Sequence, residues 1–90
     1  MSQDGIHLEL RPQKNMAVTW REYQRGVLTE TGVAMNPTAA YVFKQCDGER
    51  TLAEIVEAYQ ETYGLVPDAA LDDVLSVVRE LEEQKILLTE

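Results

Sequence analysis

Helix boundary signals in the second half of the chain limit the fold more than any other feature. Asn36 can accept hydrogen bonds from free backbone N–H groups, and Pro37 suits the first helical position, which needs no N–H. Gly48, after an aspartate, can take the left-handed conformation that ends a helix. The apolar positions at helical spacing between these signals are Ala40, Phe43 and Cys46. A short helix is therefore predicted from residue 37 to about residue 46.

A second helix is predicted from a capping box. In this pattern the Thr51 hydroxyl and the Glu54 carboxylate each accept a hydrogen bond from the other residue's backbone N–H. Gly64 marks the end of this helix. One apolar stripe follows its length: Leu52, Ile55, Val56, Tyr59 and Tyr63.

The longest helix is predicted to begin at Pro67 and to end near Lys85. Its inward-facing positions are Leu71, Val74, Val78 and Leu81, with Leu75 and Val77 flanking them. Residues 86–88 then form an apolar tail, for which two interpretations stay open. The tail adds a final strand, or it seals the bottom of the core.

Residues 1–36 have the pattern of strands and turns. Residues 7–10 alternate between polar and apolar side chains, and residues 11–15 interrupt this strand pattern. Residues 17–20 are rich in β-forming side chains. Residues 26–29 and 32–35 are joined by a short link, which favours a β-hairpin. A small antiparallel sheet of three strands is predicted, and a fourth strand is left open.

These elements predict an α+β fold in which a small three-stranded antiparallel sheet precedes three helices. That order is typical of a winged helix-turn-helix domain. Ninety residues, 44% of them hydrophobic and 27% charged, are the size and composition of one ordinary globular domain. We therefore expect a single domain over residues 1–90, with residues 1–6 flexible.

The charge distribution argues against two classes of partner. The net charge is -8, and residues 51–90 carry ten acidic and two basic side chains, whereas residues 1–50 carry six of each. Nucleic acids and anionic membranes are bound chiefly through clusters of Lys and Arg. The predicted third helix, with six acidic and two basic residues over 67–85, would be repelled from a DNA groove. Neither DNA, RNA nor a membrane is expected as a partner.

No catalytic or metal site is predicted. Cys46 is the only cysteine and His7 the only histidine, so the chain cannot form an internal disulfide or a structural zinc site. Cys46 lies on the apolar face of a predicted helix, which indicates a small buried hydrophobic residue. The chain has no basic start followed by an apolar run, and no stretch of about eighteen apolar residues. A cytoplasmic location, with no cofactor and no enzymatic activity, is expected.

Two further interpretations of the acidic helices are weaker. The carboxylates of the third helix lie on its outer and flanking sides, so a solvated face explains them better than a metal site; they are Asp72, Asp73, Glu80, Glu82 and Glu83. An acyl carrier protein would need a serine at a helix start. Ser2 and Ser76 are the only serines, and neither has that position.

The chain resembles the PqqD-like family over about residues 8–88. The resemblance lies in NPTAA at residues 36–40, in CDG followed by TLAEI across residues 46–55, and in DVL at residues 73–75 with Leu81. It implies a non-catalytic recognition element in the biosynthesis of ribosomally synthesised, post-translationally modified peptides (RiPPs). The implied partners are a precursor peptide and a modifying enzyme, such as a radical S-adenosylmethionine enzyme, a peptidase or a cyclase. Quinone, lasso-peptide and other RiPP pathways all stay open.

The resemblance also implies a binding site. The leader segment of the precursor would lie as an added strand along the third strand, beside the third helix. An edge strand offers unpaired N–H and C=O groups to such a guest, and side-chain pockets supply specificity. The residues assigned to the edge are Val33, Ala34 and Met35, with Val27 or Leu28 behind them, and those assigned to the helix wall are Asp72, Leu75, Ser76, Arg79 and Glu82. Core packing is the alternative role for Val33 and Met35.

Two functional hypotheses result. The first is capture of a leader peptide by strand addition. The second is an acidic winged-helix adaptor, or a transcription-related module, that contacts other proteins. The protein is expected to be a monomer or a weak homodimer, since an exposed edge at residues 32–36 could also pair with its own copy.

Overall fold

The computed structural model describes residues 8–89. In chain order its elements are β1 (Gln13–Lys14), β2 (Trp20–Tyr23), β3 (Gly26–Thr29), β4 (Ala34–Met35), α1 (Pro37–Gln45), α2 (Leu52–Tyr63), α3 (Pro67–Glu83) and β5 (Leu87–Leu88). The expected flexibility of residues 1–6, and the His7 end of the predicted 7–10 strand, lie outside the described residues.

The helix boundaries follow the predicted caps. The Asn36 side chain accepts a hydrogen bond from Ala39 N at 2.8 Å, and α1 begins with Pro37. At the start of α2, Thr51 and Glu54 form the reciprocal capping box. Gly64 ends α2 in the left-handed region, with φ 64°. Between Leu8 and Thr89, none of the helices is both long and apolar enough to cross a bilayer.

The predicted antiparallel sheet is present, with strand order β2-β3-β4. The residue pairs are Trp20 with Thr29, Arg21 with Leu28, Glu22 with Val27 and Tyr23 with Gly26 between β2 and β3, and Val27 with Met35 and Leu28 with Ala34 between β3 and β4. An α+β fold of a three-stranded antiparallel sheet with three helices is thus confirmed for the described residues. The assignment as a winged helix-turn-helix stays a prediction.

The first part of the chain differs from its predicted strands. Residues 8–10 form no strand, because the carbonyls of Leu8 and Leu10 instead accept hydrogen bonds from the first amides of α2, Ala53 N and Leu52 N, both at 2.9 Å. The predicted interruption at residues 11–15 contains β1. Ala17 lies in a turn and Val18 in a bend, and the strand begins only at Trp20.

A second, two-stranded sheet joins the two ends of the described chain. Gln13 pairs with Leu88 and Lys14 with Leu87, so residues 86–88 do add a final strand. Ile86 and Leu87 are also buried, so the tail closes the core as well. The two interpretations of this tail are therefore both correct.

The core lies between the three-stranded sheet and the helices. Its buried apolar members are Val27, Met35, Ala40, Val42, Phe43, Cys46, Leu52, Ile55, Tyr59, Ala70, Val74, Val78, Leu81, Ile86 and Leu87. Two predicted inward positions differ, since Leu71 is only half-buried and Tyr63 is 39% exposed. Ala70 takes a buried position on α3 that the sequence did not indicate.

The closing role of β5 predicts unequal effects for two neighbouring leucines. Leu87 is fully buried, whereas Leu88 is 37% exposed. Leu87→Ala should lower the free energy of unfolding by about 3 kcal/mol, because it removes core contacts and leaves a cavity. The matched control, Leu88→Ala, should cost less than about 1 kcal/mol. Urea unfolding followed by circular dichroism measures both, and equal losses would contradict this placement of the tail.

Candidate functional site

A groove separates β4 from the C-terminal half of α3. Eight residues line it: Val33, Ala34, Met35, Asn36, Ala39, Val77, Glu80 and Leu81. Its volume is about 220 Å³. We call it the β4–α3 groove. It joins β4 and the start of α1, which follow each other in the chain, to one flank of α3, which only folding brings beside them.

Strand β4 is an edge strand, and its hydrogen bonding determines which groups reach the groove. It pairs with β3 alone within residues 8–89. Thr29 N donates to Val33 O at 3.0 Å, and Val33 N donates to the Thr29 hydroxyl at 3.1 Å, so the backbone groups of Val33 are directed to β3. Because this direction alternates along an antiparallel ladder, Met35 also directs its backbone groups to β3, and Ala34 directs its N–H and C=O away from it. Ala34 therefore presents one donor and one acceptor to the groove.

The side chains of β4 alternate between the core face and the outer face of the sheet. Met35 is buried and belongs to the core with Val27, so the core-packing alternative is correct for Met35. Val33 is half-buried, packs against the core and also lines the groove, while Ala34 is exposed. Leu28, next to Val27 in the strand, points to the other face of the sheet and lines a separate depression. Val27 thus supports β4 from behind, and Leu28 lies away from the groove.

The helix wall of the groove differs from the set assigned from the sequence. The α3 residues that line it are Val77, Glu80 and Leu81, which share one face because they lie three and four positions apart. The five assigned residues occupy other faces: Asp72, Ser76 and Arg79 are exposed, Leu75 is half-buried against the core, and Glu82 is half-buried, accepting a hydrogen bond from the Thr89 hydroxyl. Any contact between these five residues and a peptide stays a prediction.

Five residues that line the groove were not among the assigned site residues, namely Asn36, Ala39, Val77, Glu80 and Leu81. Asn36 and Ala39 come from the cap and first turn of α1, and they are placed by the direct passage from β4 into that helix. The sequence predicts both Val77 and Leu75 as apolar flanks of α3. No local pattern shows which of the two flanks faces the groove, because that depends on how α3 packs against β4 and α1.

Strand β2 forms the second edge of the sheet. All four of its residues are exposed, and by the same alternation Trp20 and Glu22 direct their backbone groups outward, since Glu30 N donates to Thr19 O at 2.9 Å. Glu22 also pairs with Lys44 at 2.6 Å. The β4 edge differs from this one because α3 lies across the groove beside it, whereas the depressions beside β2 are lined by strand and loop residues alone.

Cys46 has the structural role that its position indicated. The side chain is fully buried, and its thiol lies 3.2 Å from Val42 O, to which it donates a hydrogen bond. Burial is the main cause that raises the pKa of the Cys46 thiol to about 12. Cys46 is therefore a neutral thiol at physiological pH. Across residues 8–89, no group of three or more His, Cys, Asp or Glu side chains is arranged to hold a metal ion.

The family comparison matches the part of the chain that builds the groove. The model of the PqqD family, coenzyme PQQ synthesis protein D, matches residues 27–87. This is more than half of the chain, so the protein belongs to the PqqD family, which is a family of RiPP recognition elements. No curated protein and no solved structure matches it. The match starts at β3 and leaves out β1 and β2, so it is shorter than the resemblance seen over residues 8–88.

Membership in this family supports an accessory role with peptides in the biosynthesis of PQQ or another RiPP, together with a precursor peptide and a modifying enzyme. The matched residues include every one that lines the β4–α3 groove. The groove thus belongs to the part of the chain that the family model describes.

The position of β4 depends on a close backbone contact at Gly26. A Cβ at this residue would lie 1.9 Å from Met35 O, which no side chain could tolerate. Gly26→Ala should therefore displace β4 and lower the free energy of unfolding by about 3 kcal/mol. Gly32→Ala is the control, because Gly32 lies in the β3–β4 turn with φ 94° and open space around it; it should cost about 1 kcal/mol.

Urea unfolding measures these stability changes, and amide hydrogen exchange at Met35 reports the displacement. Exchange at Met35 should become faster in the Gly26→Ala variant and stay slow in the Gly32→Ala variant. An unchanged Met35 amide in Gly26→Ala would show that β4 does not depend on this contact.

Proposed function

We propose that the protein binds the leader segment of a precursor peptide as an additional strand along β4 and presents it to a modifying enzyme. One observation carries this proposal: Ala34, whose N–H and C=O are directed away from β3, lines a groove with Val77, Glu80 and Leu81 of α3 on its opposite side. A peptide added there would pair with Ala34 on one side and pack against α3 on the other.

Backbone pairing alone is too weak to explain useful binding. Each hydrogen bond contributes about 1 kcal/mol net, and Ala34 offers two, whereas micromolar affinity needs about 8 kcal/mol. Burial of apolar side chains contributes about 25 cal/mol for each Å² removed from water. The leader must therefore place apolar side chains in the groove, against Val77 and Leu81. Hydrogen bonds set the register, and these side chains supply most of the affinity.

The chemistry itself is proposed to belong to the partner. Cys46, the only cysteine, is buried and neutral. The modifying enzyme is proposed to be a radical S-adenosylmethionine enzyme, a peptidase or a cyclase, acting on the precursor beyond its leader. The family's name favours PQQ synthesis, and a lasso-peptide or other RiPP pathway would use the same groove.

Binding can be tested with any short precursor peptide that the adjacent genes encode. Amide shifts of the ¹⁵N-labelled protein should change at residues 33–36, at Ala39 and at residues 77–81. Ala34→Pro removes the outward N–H but no bond within the sheet, so it should weaken binding at least about tenfold while the fold survives.

Glu22→Pro is the matched control, because it removes an outward N–H from the β2 edge instead. It should leave binding unchanged. Shift changes confined to β2, or equal losses for the two proline variants, would count against the β4 site. Sedimentation of the free protein checks whether a homodimer through residues 32–36 competes with the peptide. The adjacent genes also separate the two hypotheses, since an isolated regulatory operon would favour an adaptor.

A further inference from the structure

We propose that Glu80 selects peptides with a Lys or Arg next to the apolar side chain that enters the β4–α3 groove. This inference rests on the proposed function and specifies the class of peptide that the same site takes. It assigns to Glu80 a specificity-determining role that the sequence did not indicate.

The groove has an apolar floor and a single charge. Ala39, Val77 and Leu81 form the apolar part with the aliphatic portion of Met35, and the volume of about 220 Å³ has room for an apolar side chain. Among the eight described residues that line the groove, Glu80 alone is charged. A guest strand that seats an apolar residue on this floor therefore carries its neighbouring residues past the Glu80 carboxylate.

The Glu80 carboxylate is available to a guest. Glu80 is exposed. The ion pairs seen within residues 8–89 join Lys44 to Glu22 and Arg50 to Asp47, and neither involves Glu80. The β4 side of the groove supplies no cation, since its members are Val33, Ala34, Met35 and Asn36. A Lys or Arg of the peptide would thus meet a carboxylate that has no ion-pair partner among residues 8–89.

The surrounding helix adds to the same preference. Residues 67–85 carry six acidic and two basic side chains, so the field along α3 is negative. A field of this sign favours a cationic peptide and disfavours one with Asp or Glu at the same position. Since Glu80 is exposed, one ion pair should change the affinity by about fivefold rather than by orders of magnitude. The effect should weaken as salt rises.

The probe is a display library of random peptides of about twelve residues, which is long enough for one strand and its flanking residues. Peptides that bind are selected separately on the wild-type protein and on the Glu80→Gln, Glu80→Lys and Ala34→Pro variants. The matched controls are Glu83→Gln and Glu83→Lys, which change the same charge on an exposed residue of α3 outside the groove lining. Circular dichroism confirms that each variant is folded.

Wild-type binders that depend on Ala34 should share a Lys or Arg beside an apolar residue. Replacing that Lys or Arg by Gln should weaken binding of the synthetic consensus peptide about fivefold at about 50 mM salt, and much less at about 500 mM. Glu80→Gln should abolish the difference, Glu80→Lys should shift selection to Asp or Glu, and the Glu83 variants should select as wild type does.

The outcomes separate this inference from the proposed function. Binders that are lost in Ala34→Pro but show no charge preference, or a preference that Glu83 variants change equally, would overturn the role of Glu80 and leave strand addition standing. If no selected peptide depends on Ala34, the proposed function fails, and the inference fails with it.

Discussion

The pairing of Val27 with Met35 is the constraint on which the rest of the structure depends. Strand β3 uses Leu28 to bond β2 and Val27 to bond β4, so β4 can turn only Ala34 outward. Gly26 lets the backbone of Met35 approach this ladder closely. Because α1 begins immediately after β4, with Asn36 as its cap, the strand and the helix start are held together. The β4–α3 groove is a direct consequence of this arrangement.

Features set by neighbouring residues could be predicted from the sequence, and features set by distant contacts could not. The caps at Asn36, at Thr51 and at Gly64 are local hydrogen-bonding patterns, and all three were correct. The β1–β5 sheet joins residues more than seventy positions apart, so no local sequence pattern could predict it. Likewise, the periodicity of α3 predicted its buried stripe but not which flank faces β4, so the α3 residues that line the groove differ from those assigned to the helix wall, whose contact with a peptide stays a prediction.

Within residues 8–89 the sheet has two open edges, β2 and β4, which differ in what lies beside each. Depressions lined by strand and loop residues lie beside β2, whereas β4 faces the α3 residues Val77, Glu80 and Leu81. The backbone bonds of an edge strand alone can be replaced by water. A helix wall adds burial and charge selection, so the proposed guest gains both affinity and specificity at β4. The acidic second half of the chain supports the same proposal, since a negative field favours a basic peptide.

Hydrogen exchange at the Ala34 amide tests this account most directly. In the free protein this N–H points outward from the sheet edge, so it should exchange rapidly, while the Met35 amide is protected by β3. Saturating precursor peptide should slow exchange at Ala34 by more than about tenfold and leave Met35 nearly unchanged. An Ala34 amide that is already protected without peptide, or that exchanges equally fast with it, would contradict strand addition at β4.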